Sequence, residues 1–97
     1  MMYLNLWEGN ESLMPKDPKE RDKLLTSMLE TTKKAIDSGE IKMWGLSLGG
    51  GRGFTISDRD PKEILAASMR YAPYIKMEVK PMLSFDEAVN VMKKMQT

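Results

Sequence analysis

Asp17-Pro18-Lys19-Glu20 returns word for word as Asp60-Pro61-Lys62-Glu63, 43 positions later. Each copy opens an amphipathic run. Asp can cap a helix by accepting from the free N–H groups of the first turn. Pro fits the first helical position, where no donor is needed, and Glu three residues after the cap can reach back to it. Two helices therefore start by the same device, and each follows a strand-like stretch. That is the outline of a βαβ unit used twice.

The rest of the chain fits that outline. Met2 to Trp7 alternates, Leu4 and Leu6 against Tyr3, Asn5 and Trp7, as a half-buried strand does. Glu8 to Lys16 reads as a loop. The first helix is expected over 18–38, with Leu24, Leu25, Met28, Leu29, Thr32, Ala35 and Ile36 as its inner stripe and Gly39 as its stop. A second strand follows over Ile41–Leu48, then a Gly49–Gly53 turn and a third strand over Phe54–Ser57. The second helix carries Ile64, Leu65, Ser68, Met69 and Ala72 on one face and ends at Pro73. Tyr74 to Lys80 alternates strictly as the fourth strand, and Pro81 fits its end. Ser84-Phe85-Asp86-Glu87 is a further capping box, and Phe85, Ala88 or Val89, Met92 and Met95 form the stripe of a third helix. The expected fold is α+β: one ferredoxin-like βαββαβ domain over residues 1–97 with a C-terminal helix.

One sheet face gathers Leu4, Leu6, Phe54, Ile56, Ile75, Met77 and Val79, and the two long helices are expected to cover it. The other gathers Tyr3, Asn5, Trp7, Thr55, Ser57, Tyr74, Lys76, Glu78 and Lys80. The second strand is apolar on both sides (Ile41 and Met43; Trp44, Leu46 and Leu48), so the open face also needs a cover. With the thin core of so short a chain, this points to a homodimer or larger assembly.

Composition removes several chemistries. The chain has no cysteine and no histidine, which excludes thiolate chemistry, the usual zinc, copper and non-haem iron ligands, and the commonest general acid/base. No metal site and no cofactor are expected. A net charge of +1 argues against nucleic acid as a partner. No apolar run reaches the roughly 18 residues of a membrane span, and the N-terminus lacks a signal peptide's basic start and long apolar core. A cytoplasmic protein is the expectation.

Met43-Trp44-Gly45, the glycine turn before Phe54-Thr55-Ile56-Ser57-Asp58, and Ala72-Pro73-Tyr74-Ile75-Lys76-Met77-Glu78-Val79 resemble the dimeric α+β barrel superfamily, most nearly small proteins like muconolactone isomerase. The resemblance covers nearly the whole chain. It implies two sheets packed face to face across a two-fold axis, with small-ligand pockets between sheet and helices. The histidines near the glycine turn of that isomerase have no counterpart here. The superfamily holds several activities, so fold does not choose among them.

With histidine and cysteine absent, proton transfer falls to a carboxylate. Glu78 is the candidate base, since it lies mid-strand where a partner would cover it, and Lys76 two residues away is its candidate anion partner. Asn5, Trp7 and Trp44 are candidate ligand-binding residues, an amide for orientation and indole faces for a flat molecule. Arg52, on the glycine turn, could bind an anion at the pocket mouth. The bland alternatives are a solvated charge pair and ordinary aromatic packing. Gly49–Gly53 matches no phosphate-binding pattern and reads as a hairpin loop. Arg52-Gly53-Phe54-Thr55-Ile56 resembles an RNA-recognition strand but has Ile56 at the second stacking position. Asp58 and Asp60 suit turns and caps better than a cation, and the ten methionines suit gap-filling in the core. Two function classes stand open. One is a cofactor-free, isomerase-like enzyme on a small acidic metabolite. The other is a non-catalytic ligand-binding or protein-interaction module.

Overall fold

A computed structural model describes residues 1–96. Strands β1 (Met2–Gly9), β2 (Ile41–Leu46), β3 (Arg52–Ser57) and β4 (Ile75–Met82) alternate with helices α1 (Pro18–Asp37), α2 (Pro61–Tyr71) and α3 (Phe85–Met95), and a 3-10 turn spans Glu11–Leu13. The sheet order is β2-β3-β1-β4, with every neighbouring pair antiparallel. This is the ferredoxin-like βαββαβ arrangement with an added C-terminal helix. β4 runs through Pro81 rather than ending before it; as an edge strand paired only with β1, it tolerates a missing N–H donor.

Both Asp-Pro-Lys-Glu copies sit at helix starts, but neither closes as a full capping box. The Asp60 side chain accepts from the Lys62 N–H at 2.8 Å, whereas Asp17 occupies the cap position with no side-chain bond. The reciprocal box forms only at α3, where Glu87 N–H donates to Ser84 Oγ (3.2 Å) and Ser84 N–H donates to Glu87 Oε1 (3.0 Å). Gly39, at φ 82°, follows the end of α1 as expected.

Register corrects the face assignment. Leu4 pairs with Ile56 and Lys80, Leu6 with Phe54 and Glu78, and Glu8 with Arg52 and Lys76. Directly paired residues share a face, so Lys76, Glu78 and Lys80 stand with the leucines and not with Tyr3, Asn5 and Trp7. The helices cover the opposite face, where Tyr3, Asn5, Trp7, Trp44, Thr55, Ser57, Ile75 and Met77 look toward Leu25, Met28, Thr32, Ala35, Ile64, Ala67 and Tyr71. Alternation alone could not decide this. Tyr3 and Trp7 count as polar in a binary pattern, yet their rings are the largest apolar surfaces on β1. The inner stripe of α2 is correspondingly Ile64, Ala67 and Tyr71, and Leu65 and Met69 are exposed.

The helices stand off the sheet. Met14 and Ala35, at 7% and 8% exposure, are the buried apolar residues among those described, and no large side chain is fully buried. α3 projects from the body with Phe85 82% and Met95 80% exposed. The long axis reaches 62 Å against 25 Å across, and the radius of gyration of 16.2 Å exceeds the roughly 13 Å expected of a compact chain this long. The stripe of α3 is thus largely uncovered, with Phe85, Met92 and Met95 exposed and Val89 half-buried.

Candidate functional site

The gap between helices and sheet is a cavity of about 680 Å³, within the roughly 300–1,000 Å³ of small-ligand sites. β1 lays Trp7, Asn5 and Tyr3 along its floor at two-residue intervals. β2 and β3 add Trp44, Thr55 and Ser57, and α1 and α2 supply an apolar roof. The Trp7 and Trp44 rings stack with centroids 5.7 Å apart and planes inclined by 22°.

Glycine makes room for this pair. A Cβ on Gly53 would run into the Gly45 carbonyl oxygen and the Trp7 indole, so the indole lies directly on the Gly53 backbone. On the opposite face, a Cβ on Gly45 would meet the Phe54 ring. Phe54, expected beneath the helices, lies on the open face. Gly53, read as part of a flexible loop, is a strand residue whose missing side chain seats Trp7.

An ion pair lines each end of the cavity. At the Trp7 end, Arg21 Nη2 donates to Glu11 Oε1 at 2.8 Å, tying α1 to the 3-10 turn. This hydrogen bond, reinforced by the charge on Arg21, holds the Glu11 carboxyl below its ordinary range. At the Tyr3 end, Arg59 pairs with Glu40. The buried Ser57 hydroxyl donates to the Glu40 carbonyl (2.9 Å) and accepts from the Arg59 N–H (3.1 Å). Sequence reasoning missed these arginines because nothing in one-dimensional spacing links residues 11 and 21, or 40 and 59, to a single chamber. Arg70, exposed in the last turn of α2, reaches the rim of the same chamber and has no sequence signal of its own.

Two buried polar atoms of the cavity floor, Asn5 Oδ1 and Trp7 Nε1, have no protein partner, and neither does Arg59 Nε at the Tyr3 end. Asn5 Nδ2 meets only the thioether of Met77, at 3.4 Å. A polar atom buried without a partner costs about 1–3 kcal/mol, and the two floor atoms occur on the same face of one strand.

The residues singled out from sequence divide between the two faces. Asn5, Trp7 and Trp44 line the helix-side cavity. Lys76, Glu78 and Arg52 line a separate recess of about 650 Å³ at one end of the open face, with Leu6 and Phe54. Glu78 is exposed there and pairs with Lys80 at 3.7 Å, while Arg52 pairs with Glu8 at 3.5 Å. Trp7 borders both spaces, but the sheet separates the carboxylate from the Asn5 amide. Among the described residues no group of three or more acidic, histidine or cysteine side chains is placed to hold a metal, and no helix is long and apolar enough to cross a membrane.

The profile of a domain of unknown function, DUF3303, matches residues 1–96. The chain belongs to that family. No curated protein matches it.

Proposed function

We propose that this protein binds a small, flat organic molecule in the cavity between its helices and its sheet. The observation that carries the reading is the pair of partnerless buried atoms, Asn5 Oδ1 and Trp7 Nε1, set beside stacked indoles in a chamber of ligand size. An acceptor and a donor so placed are satisfied by a bound molecule that supplies the complementary groups. Saturation-transfer NMR with a set of two-ring aromatic fragments tests it. Binders are expected, and Ala35→Phe, which fills the roof above the floor, should abolish their signals while the far-ultraviolet spectrum is kept. Absence of binders, or binding indifferent to Ala35→Phe, would overturn the reading.

The same proposal includes a second copy of the chain on the open sheet face, as in the dimeric α+β barrels. That face carries Leu4, Leu6, Met43, Phe54 and Ile56, of which Leu6 (39%) and Met43 (55%) are exposed and the other three half-buried. Strand spacing and rise give it roughly 450 Å² per copy, so two faces alone fall short of the roughly 1,200 Å² of a standard interface. The largely uncovered stripe of α3 makes up the difference. Light scattering should return twice the 11.1 kDa chain mass, and Leu6→Glu should return the monomer. A wild-type monomer at micromolar concentration contradicts it.

A catalytic reading rests on the open-face recess, where a second copy would roof Glu78, Lys76 and Arg52 beside Leu6 and Phe54. Glu78 would then be the base for an acidic metabolite and Lys76 its anion partner. Glu78→Gln and Lys76→Met, each folded, should lose turnover without losing fragment binding on the helix side; retained turnover removes both residues from the chemistry.

A further inference from the structure

The ionisable lining of the helix-side cavity is unbalanced. Four cations (Arg21, Lys34, Arg59 and Arg70) face two carboxylates, Glu11 and Glu40. Both carboxylates are engaged, Glu11 by Arg21 and Glu40 by Arg59. No ion pair to a described residue is made by Lys34 or Arg70. The two stand at opposite ends. Lys34 is in the last turn of α1, before the β2 residue Ile41 that pairs with Ser57. Arg70 is in the last turn of α2, before β4, whose Ile75 pairs with Gly9 next to the Trp7 end of β1. The Tyr74 carbonyl between them accepts from the Asn10 N–H at 2.7 Å, which fixes that end of the chamber.

The Arg70 end combines an exposed, unpaired cation with a buried neutral donor that has no partner, the Trp7 indole N–H, whereas the unpartnered donor at the Lys34 end, Arg59 Nε, belongs to a guanidinium already paired with Glu40. A cation and an N–H donor are together the recognition chemistry of a carboxylate. Asn5 Oδ1, two residues and roughly 7 Å along the same strand face, asks for a donor instead. The stacked indoles between α1 and the sheet supply a flat apolar wall.

We infer that the ligand of this cavity is a flat aromatic acid, its carboxylate held at the Trp7 end by the Arg70 guanidinium and the Trp7 N–H, and its far edge carrying a hydroxyl or N–H that donates to Asn5. The inference rests on the reading that the cavity binds a small molecule, and it adds charge and orientation to it. Lys34, at the other end, contributes field but no contact with the acid group.

Calorimetry with 6-hydroxy-2-naphthoate and with its neutral carboxamide separates the two claims. The acid should bind at least about tenfold more tightly than the amide, since a charge-assisted bond is lost with the negative charge. Arg70→Met should erase that preference, weakening the acid by at least about tenfold and the amide by much less, while Lys34→Met shifts the acid by less than about threefold. Binding of both probes with equal affinity, or tighter binding of the amide, would leave the cavity reading standing and overturn the inference. Equal losses from Arg70→Met and Lys34→Met would also overturn it, because the effect would then be bulk charge. If neither probe binds, the cavity reading fails and takes the inference with it.

Discussion

Replacing Gly53 with alanine tests the packing that shapes the cavity floor. The added methyl meets two neighbours at once, the Gly45 carbonyl oxygen on β2 and the Trp7 indole, whose Cε2 lies 2.8 Å away. The indole can tilt, but the carbonyl belongs to the paired strand and moves only with it. Forcing a methyl into such a site costs about 1–3 kcal/mol. Tilting the indole breaks its stack on Trp44, worth about 0.5–1.5 kcal/mol more. The sum, about 2–4 kcal/mol, is a large fraction of the roughly 5–15 kcal/mol that holds a domain of this size. At about 4–8 °C per kcal/mol, the melting midpoint should fall by roughly 8–32 °C. Gly45→Ala is the internal comparison. Its methyl meets only the Phe54 ring, most closely at Cε1, and a side chain on the open face can swing outward. It should cost under about 1 kcal/mol, partly offset by the lower entropy of the unfolded chain. Urea denaturation followed by far-ultraviolet circular dichroism measures both. The near-ultraviolet signal of the tryptophan pair should fade in Gly53→Ala and persist in Gly45→Ala. Equal stability of the two variants would refute the claim that Trp7 is seated on the Gly53 backbone.

Helix starts give a second contrast. Asp60→Ala should cost about 1 kcal/mol, since the side chain bonds the Lys62 N–H, while Asp17→Ala, which removes no such bond, should cost a few tenths; thermal melts of the two variants check the order. Acid gives a third. The Glu87 carboxyl is held below its ordinary range by the Ser84 backbone N–H and then by the Ser84 hydroxyl. A depressed carboxyl stabilises the fold above its unfolded value, about 4.3, and that contribution disappears as pH falls through the lowered folded value. The Ser84 amide resonance should therefore shift below pH 4 in step with fraying of α3, and Glu87→Gln should show neither the shift nor any pH dependence there.

Element order was written locally. The twin Asp-Pro-Lys-Glu starts, Gly39, Pro73 and the strict alternation of Ile75-Lys76-Met77-Glu78 each act over a few residues through capping, φ restriction or side-chain period, so the ferredoxin-like sequence of elements could be read directly. Asn5, Trp7 and Trp44 were equally legible as a cluster, because β1 alternation puts the first two on one face and strand pairing brings the third beside them. What alternation could not supply was which face the helices take, because a strand with Leu4 and Leu6 on one side and Tyr3 and Trp7 on the other is apolar on both. That choice came from the packing of α1 and α2, and it moved Glu78 and Lys76 away from the amide they were expected to share. The cationic surplus around Arg70 likewise has no one-dimensional signature. It arises because residues 11, 21, 40, 59 and 70 meet around one chamber and two arginines neutralise its two carboxylates, a balance that exists only once the chain is folded.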